Sequence, residues 1–267
     1  MNASAIAGAL GRSGQRSGSV YKVGFPRTDL HVQLQGVTLR PGLALGSWAA
    51  FTPSRQSTLI MGDLCLLPQE VNPVMRRLRA GGYQITALHN HLLFEQPHVM
   101  FMHFMAQGDA VSLARTLRAA LAQSATPLQP LAPAKPSSPP AWVSVVEGGL
   151  GRKGSWRGGV LAIGVPRKVA PRMEGAALPP SMGVAESMNF QEAGGGRVAT
   201  TGDFVLTADE VNPVISALEQ YQFTITAVHS HMLTEQPRLF YMHFWKVGSP
   251  RAVAPGLRAA LQHVSAQ

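Results

Sequence analysis

Six of the chain's nine histidines fall in a single spacing that is written twice. His89-x-His91-x3-Glu95-x7-His103 recurs as His229-x-His231-x3-Glu235-x7-His243. Imidazole nitrogens with a carboxylate suit a divalent transition metal: Zn, Fe, Mn, Ni or Cu. An extended strand would aim His89 and His91 to the same side, about 7 Å apart. If the chain turns around Glu95 and Pro97, a returning strand sets His103 beside His91, and Glu95 reaches back over that face. The expectation is one metal site per copy. Its ligands are His89, His91, Glu95 and His103 in the first copy, and His229, His231, Glu235 and His243 in the second. With an open coordination position, such a site could polarise a carbonyl or activate water or dioxygen. Glu95 and Glu235 are then candidate catalytic bases, and Phe101 and Tyr241 candidate walls for a small organic substrate. A metal-free polar cluster between domains is the plainer alternative, although buried imidazoles are costly unless something satisfies them.

The elements that must position these residues are themselves repeated. Gly62–Phe104 and Gly202–Phe244 are identical at 21 of 43 positions without a gap, a shift of 140. Leu10-Gly11-Arg12 and Pro26-Arg27 recur at the same shift. Two homologous domains are expected, residues 1–124 and 141–267, joined by a Pro/Ala/Ser-rich linker over 125–140. In the first copy, alternation and turn residues predict strands over Val20–Phe25, His31–Leu39, Gly46–Phe51 and Leu64–Leu67. A helix is predicted over Pro68–Leu78, with Asn72-Pro73 in its first turn. Strands Gln84–His91 and Val99–Met105 and a helix over Ala110–Leu121 complete the copy. The fold class is α+β, each domain a β-rich N-terminal part followed by a β-α-β-β-α unit. Among the other retained acids, Glu70 and Glu210 read as helix N-terminal residues. Asp63 and Asp203 each follow a glycine, and read as residues starting a strand at a turn in preference to partners of a histidine.

Composition narrows the function classes. With 45% hydrophobic and 14% charged residues, the chain is a poor candidate for disorder. A single cysteine, Cys65, excludes an intrachain disulfide and a thiolate metal cluster. No apolar run is long enough for a transmembrane helix. The net charge of +9 reflects 23 basic against 14 acidic residues. The basic residues are scattered, Arg76, Arg77 and Arg79 on a helix and Arg12, Arg16, Arg152, Lys153 and Arg157 in glycine-rich stretches. No nucleic-acid motif accompanies them, so a small-molecule or anionic ligand is the expected partner in place of nucleic acid. The N-terminal MNASAIAGALGRSG lacks a basic segment and a long apolar stretch. A periplasmic or cell-envelope location is expected if a leader has been removed, and a cytoplasmic one otherwise.

The segments VYKVGFPRTDL, LALGSWAAF, MGDLCLL, EVNPVM and TALHNHLL, with the later MHF, resemble the bacterial family named for the mycobacterial lipoproteins LppY and LpqO. That resemblance covers nearly the whole chain and implies a bacterial protein of a domain family of unknown function, with relatives often exported or lipid-anchored. It implies no catalytic residue. The order His-x-His-x3-Glu followed by a later histidine resembles the metal motif of cupins, a likeness of ligand chemistry on a different fold. A non-catalytic envelope protein binding metal, glycan or an anionic ligand is the alternative function.

Overall fold

The structure, a computed structural model, describes residues 1–54, 57–130, 137–173 and 176–267. The first copy runs α1 (Ala3–Leu10), β1 (Gln15–Ser17), β2 (Val20–Pro26), β3 (Gln33–Leu34), β4 (Val37–Thr38), α2 (Pro41–Ala44) and β5 (Gly46–Ser54). It continues through β6 (Ser57–Leu66), α3 (Pro68–Ala80), β7 (Gln84–His89), β8 (Met100–Gly108) and α4 (Ala110–Leu121). The second runs α5 (Ala141–Leu150), β9 (Ser155–Arg157), β10 (Val160–Pro166), β11 (Arg172–Met173), β12 (Ala176–Ala177) and a 3-10 turn at Pro180–Met182. Then come β13 (Ala185–Gly194), β14 (Arg197–Leu206), α6 (Ala208–Gln220), β15 (Thr224–His229), β16 (Phe240–Gly248) and α7 (Pro250–Leu261). Each copy is an antiparallel sheet of six strands, in the order β1-β2-β5-β6-β8-β7 and β9-β10-β13-β14-β16-β15. This is α+β. No helix among the described residues is long and apolar enough to cross a membrane.

Alternation assigns the two faces of each sheet different tasks. In β8, Met102 and Phe104 join Val74, Leu78 and Leu117 in a core under the helices, while Phe101, His103 and Met105 take the opposite face. That opposite face meets both arms, Phe101 packing with the first copy's own arm and Met105 with the second copy's. The β3–β4–α2 arm of the first copy packs Leu34 and Leu43 with Val160, Ala199 and Trp245 of the second. The reciprocal arm packs Met173, Leu178 and Met182 with Val20, Ala50 and Met105 of the first. Hydrogen bonds pin the exchange: Gln191 Nε2 donates to Thr38 O (2.9 Å) and Trp245 Nε1 to Gln35 Oε1 (3.0 Å). The result is a pseudo-two-fold sandwich, helices outside and crossed arms within.

Several sequence expectations are corrected. His31–Leu39 is a miniature hairpin, because Gln35 and Gly36 both take positive φ (50° and 77°) and turn the chain between two-residue strands. The strand expected at Leu64–Leu67 begins at Ser57, and an additional helix, capped by Asn2 and ended at Gly11, precedes β1. Helix α3 continues past Pro73, which lies in its second turn. Of the expected linker, 131–136 lie outside the described residues. Just before them, Arg12 donates to the carbonyls of Pro127 (2.8 Å) and Gln129, and Leu128 packs on the first core.

Glu70 and Glu210 are structural anchors. Glu70 accepts from Arg27 (2.7 Å), from Leu67 N (2.8 Å) at the helix start and from Ala125 N (2.8 Å), and Arg27 is fully buried. Glu210 repeats the pattern with Arg167, Thr207 N and Ser265 N. Arg27 keeps Asp29 (2.8 Å) when Glu70 is removed, so the cost is about 3 kcal/mol, the low end for breaking a buried ion pair. Glu70→Ala is therefore expected to lower unfolding stability by about that amount in urea titration, while the protein that remains folded keeps an intact histidine site.

Candidate metal centre

Strand β7 stops at His89, not His91, and a bulge between Ile85 and Ala87 offsets its register, so that His103 lies opposite Ala87 and His89 opposite Phe101. The expected pairing of His103 with His91 is thereby corrected. The second copy has the same bulge, between Ile225 and Ala227, and the same strand end at His229. Asn90 Nδ2 donates to Leu92 O and to Thr226 O of β15, both at 2.9 Å, and Thr226 Oγ1 donates to His91 O (2.6 Å). Two of these bonds tie residues 90 and 91 to the other copy.

The consequence is that the two histidine sets meet. His89 stacks on His229 (ring centroids 3.5 Å apart), His103 on His231 (3.6 Å) and His91 on His243 (3.9 Å). Every stack joins one copy to the other and obeys the pseudo-two-fold. Phe101 and Tyr241 close the ends, 3.4 Å from His91 and His231 respectively. Where one site per copy was expected, the chain builds one composite cluster.

Two aspartates complete it. Asp63 lies in mid-β6 opposite His103, and Asp203 in mid-β14 opposite His243, so neither starts a strand at a turn. Asp63 approaches His103 Nε2 (3.5 Å) and His91 Nε2 (3.6 Å), and Asp203 approaches His243 (3.8 Å) and His231 (3.9 Å). Donor atoms converge in two groups, Asp63 with His89, His91 and His103, and His89 with His229, His231 and His243. His89 belongs to both. Glu95, Glu235 and Asp203 belong to neither, Asp203 standing beside the second group. Glu95 accepts from Val99 N (3.1 Å) and sits 2.7 Å from His98 Nδ1, and its Oε2 is buried without a partner. Glu235 accepts from Leu239 N (3.0 Å) and Arg238 (3.2 Å).

Burial and mutual repulsion keep these rings neutral. Two imidazolium charges about 4 Å apart would repel by roughly 4 kcal/mol even at an effective dielectric near ~20. Burial lowers His89 to about 4 and His243 to about 3, and pushes His91, His103, His229 and His231 down as well, with neighbouring imidazoles adding to the effect. Burial raises Asp63 to about 8 against the nearby Lys22, and raises Asp203 also. His243 Nδ1 is 2.8 Å from Gly202 O, which fixes its donor there and leaves Nε2 a lone pair. The buried Nε2 atoms of His89, His91, His103 and His243 and Nδ1 of His229 have no hydrogen-bond partner, nor do Asp63 Oδ1 and Asp203 Oδ1.

A cavity of about 440 Å³ between the copies is floored by His91, His103, His231 and His243 with Asp63 and Asp203. Lys22, Trp48 and Glu186 stand on its walls. Burial lowers Lys22 to about 8 and raises Glu186 to about 8. These three residues have no signal in the repeat, because each occurs in one copy alone. Asp63 and Asp203 did have one, retained in both copies and in register with a histidine.

Fold and site together define a duplicated α+β protein with a histidine-aspartate cluster on its internal two-fold. The chain belongs to the family described as Domain of Unknown Function (DUF1259), which matches it twice, at residues 4–123 and 144–263. No curated protein matches the chain. Similar solved structures include the trimeric bacterial microcompartment shell protein PduB, at 9% identity over 94% of this chain and 89% of that one, TM-score 0.23. EtuB from Clostridium kluyveri is similar at 10% identity over 93% and 88%, TM-score 0.21.

A pH dependence follows for the metal-free protein. Unfolded imidazoles gain protons near pH ~6.5, whereas folded His89 waits until about 4 and His243 until about 3. Between those limits the unfolded state binds more protons, so stability falls as pH falls. Asp63 and Glu186, raised to about 8, act in the opposite sense, but lowered imidazoles outnumber raised carboxylates. The metal-free protein is expected to melt at a lower temperature near pH ~5 than near pH ~7. An equal or higher midpoint in acid would contradict the neutral-cluster description.

Proposed function

We propose that the chain is a metalloprotein whose six motif histidines, with Asp63 and Asp203, hold a divalent transition metal in one composite centre, and that this centre acts on a small organic molecule in the adjoining cavity. The observation that carries the reading is the convergence of buried, unpartnered imidazole nitrogens from both copies. A polar cluster serving stability alone would pair its donors and acceptors internally; here His229 Nε2 and His231 Nε2 pair at 2.9 Å, while a nitrogen on each of the other four rings, and Nδ1 of His229, stay without a partner. Neutral imidazole and carboxylate are the donors that Zn, Fe, Mn, Ni or Cu accept. When bound, a metal with a free coordination position supplies Lewis acidity or an activated water beside the cavity. In this reading the carboxylates at the centre are Asp63 and Asp203. Glu95 and Glu235 hold the loop that carries His91 and His231 through their bonds to Val99 N and Leu239 N.

Elemental analysis by ICP-MS on untagged protein is expected to find at least one transition-metal equivalent per chain. Because the centre is shared, His229→Ala with His231→Ala is expected to remove well over half of that metal. Removal of half, with the remainder unaffected, would instead mean independent sites. Protein that takes up no Zn, Fe, Mn, Ni or Cu on reconstitution would overturn the proposal. Glu95→Gln is expected to retain metal; a loss as deep as that of the histidine variants would make Glu95 a ligand.

A further inference from the structure

The two-fold holds for the cluster and fails on the cavity wall. Lys22 of β2 faces the cavity, and Ala162 occupies the same place in β10. Trp48 lies opposite Asp63 in the neighbouring strand, whereas Ser187 lies opposite Asp203. Lys22 Nζ sits 3.9 Å over the Trp48 ring and makes no hydrogen bond among the described residues. The indole is set by the other copy's arm: Gly183, at φ 82°, leaves it room where a Cβ would come within 2.8 Å of its edge. An outer cleft of about 870 Å³ shares Lys22, Gly24, Pro26 and Trp48 with the inner cavity. The lysine and the tryptophan therefore border both spaces, on one side of the two-fold.

Charge decides what such a wall would hold. The inference rests on the metal reading: Asp63 and Asp203 offset a divalent ion, and Glu186 accepts from Val205 N (2.6 Å) 3.8 Å from Arg167. With Asp63 turned to the ion, Lys22 is the one lysine on a wall where Trp48, Phe101, Leu43 and prolines stand beside Ser47, Ser187, Asn189 and Thr201. We propose that the cavity takes a small carboxylate with a ring-sized apolar body, its carboxylate on Lys22, its body against Trp48 and its far end toward the centre. A volume of about 440 Å³ lies in the range of small-molecule pockets and suits a single-ring acid.

The test is calorimetric titration of the full, metal-loaded chain with benzoate and with its uncharged counterpart benzamide. Metal is counted in every sample. Benzoate is expected to bind at least about tenfold more tightly than benzamide. Lys22→Met should abolish that preference with metal content unchanged, and Lys22→Arg should retain most of it. Trp48→Leu should weaken both probes alike, which separates loss of the apolar wall from loss of the charge. Equal binding of the two probes, no binding of either up to about 10 mM, or a benzoate preference that survives Lys22→Met would overturn the proposal. Wild-type protein that holds no metal would refute the preceding reading, and the Lys22 comparison would still decide this one.

Discussion

Buried imidazole nitrogens without hydrogen-bond partners, packed ring on ring across the internal two-fold, are the constraint to which the rest of the molecule answers. Rings with centroids 3.5 to 3.9 Å apart tolerate one another while neutral, and neutrality needs the low dielectric that burial supplies. The burial comes from elements remote in sequence. Each copy covers its outer face with its own helices, and its inner face is covered by its own arm together with its neighbour's. Neither sheet could hide its inner histidines and aspartates alone.

The same arrangement explains which residues the copies share. Arg27 with Glu70 and Arg167 with Glu210 bolt the helix start to the strand ends in each half. Glu95 and Glu235 brace the loops that carry His91 and His231. Glu70 and Glu210 each satisfy several donors at once, an expensive kind of group to lose. What the copies do not share lies on the cavity wall. Lys22, Trp48 and Glu186 break the symmetry there and give the cavity two chemically different sides.

Much of this was legible from residue order. The repeat, the α+β class, the helices α3 and α4 and the face shared by Phe101, His103 and Met105 all follow from period and spacing. The composite nature of the cluster does not. It depends on Asn90 and Thr226 bonding across copies and on arms that exchange partners, and pairwise contacts between distant segments leave no periodicity to read. For the same reason Asp63 was misplaced at a turn. Its neighbour Gly62 looks like a turn residue, but strand β6 starts five residues earlier and carries Asp63 through its middle. The carboxylate expected at the cluster, Glu95, is bonded to its own loop instead, a difference set by side-chain direction and not by sequence spacing.

The most direct test of a shared centre is anomalous diffraction from crystals of the protein loaded with the metal it retains, recorded on both sides of that metal's absorption edge. The account places the anomalous peak among the six imidazoles, at bonding distance of about 2.0–2.2 Å from nitrogens belonging to both copies. Two peaks, each ligated solely by residues of its own copy and including Glu95 or Glu235, would contradict it. So would a peak elsewhere on the surface with the histidine rings left in contact.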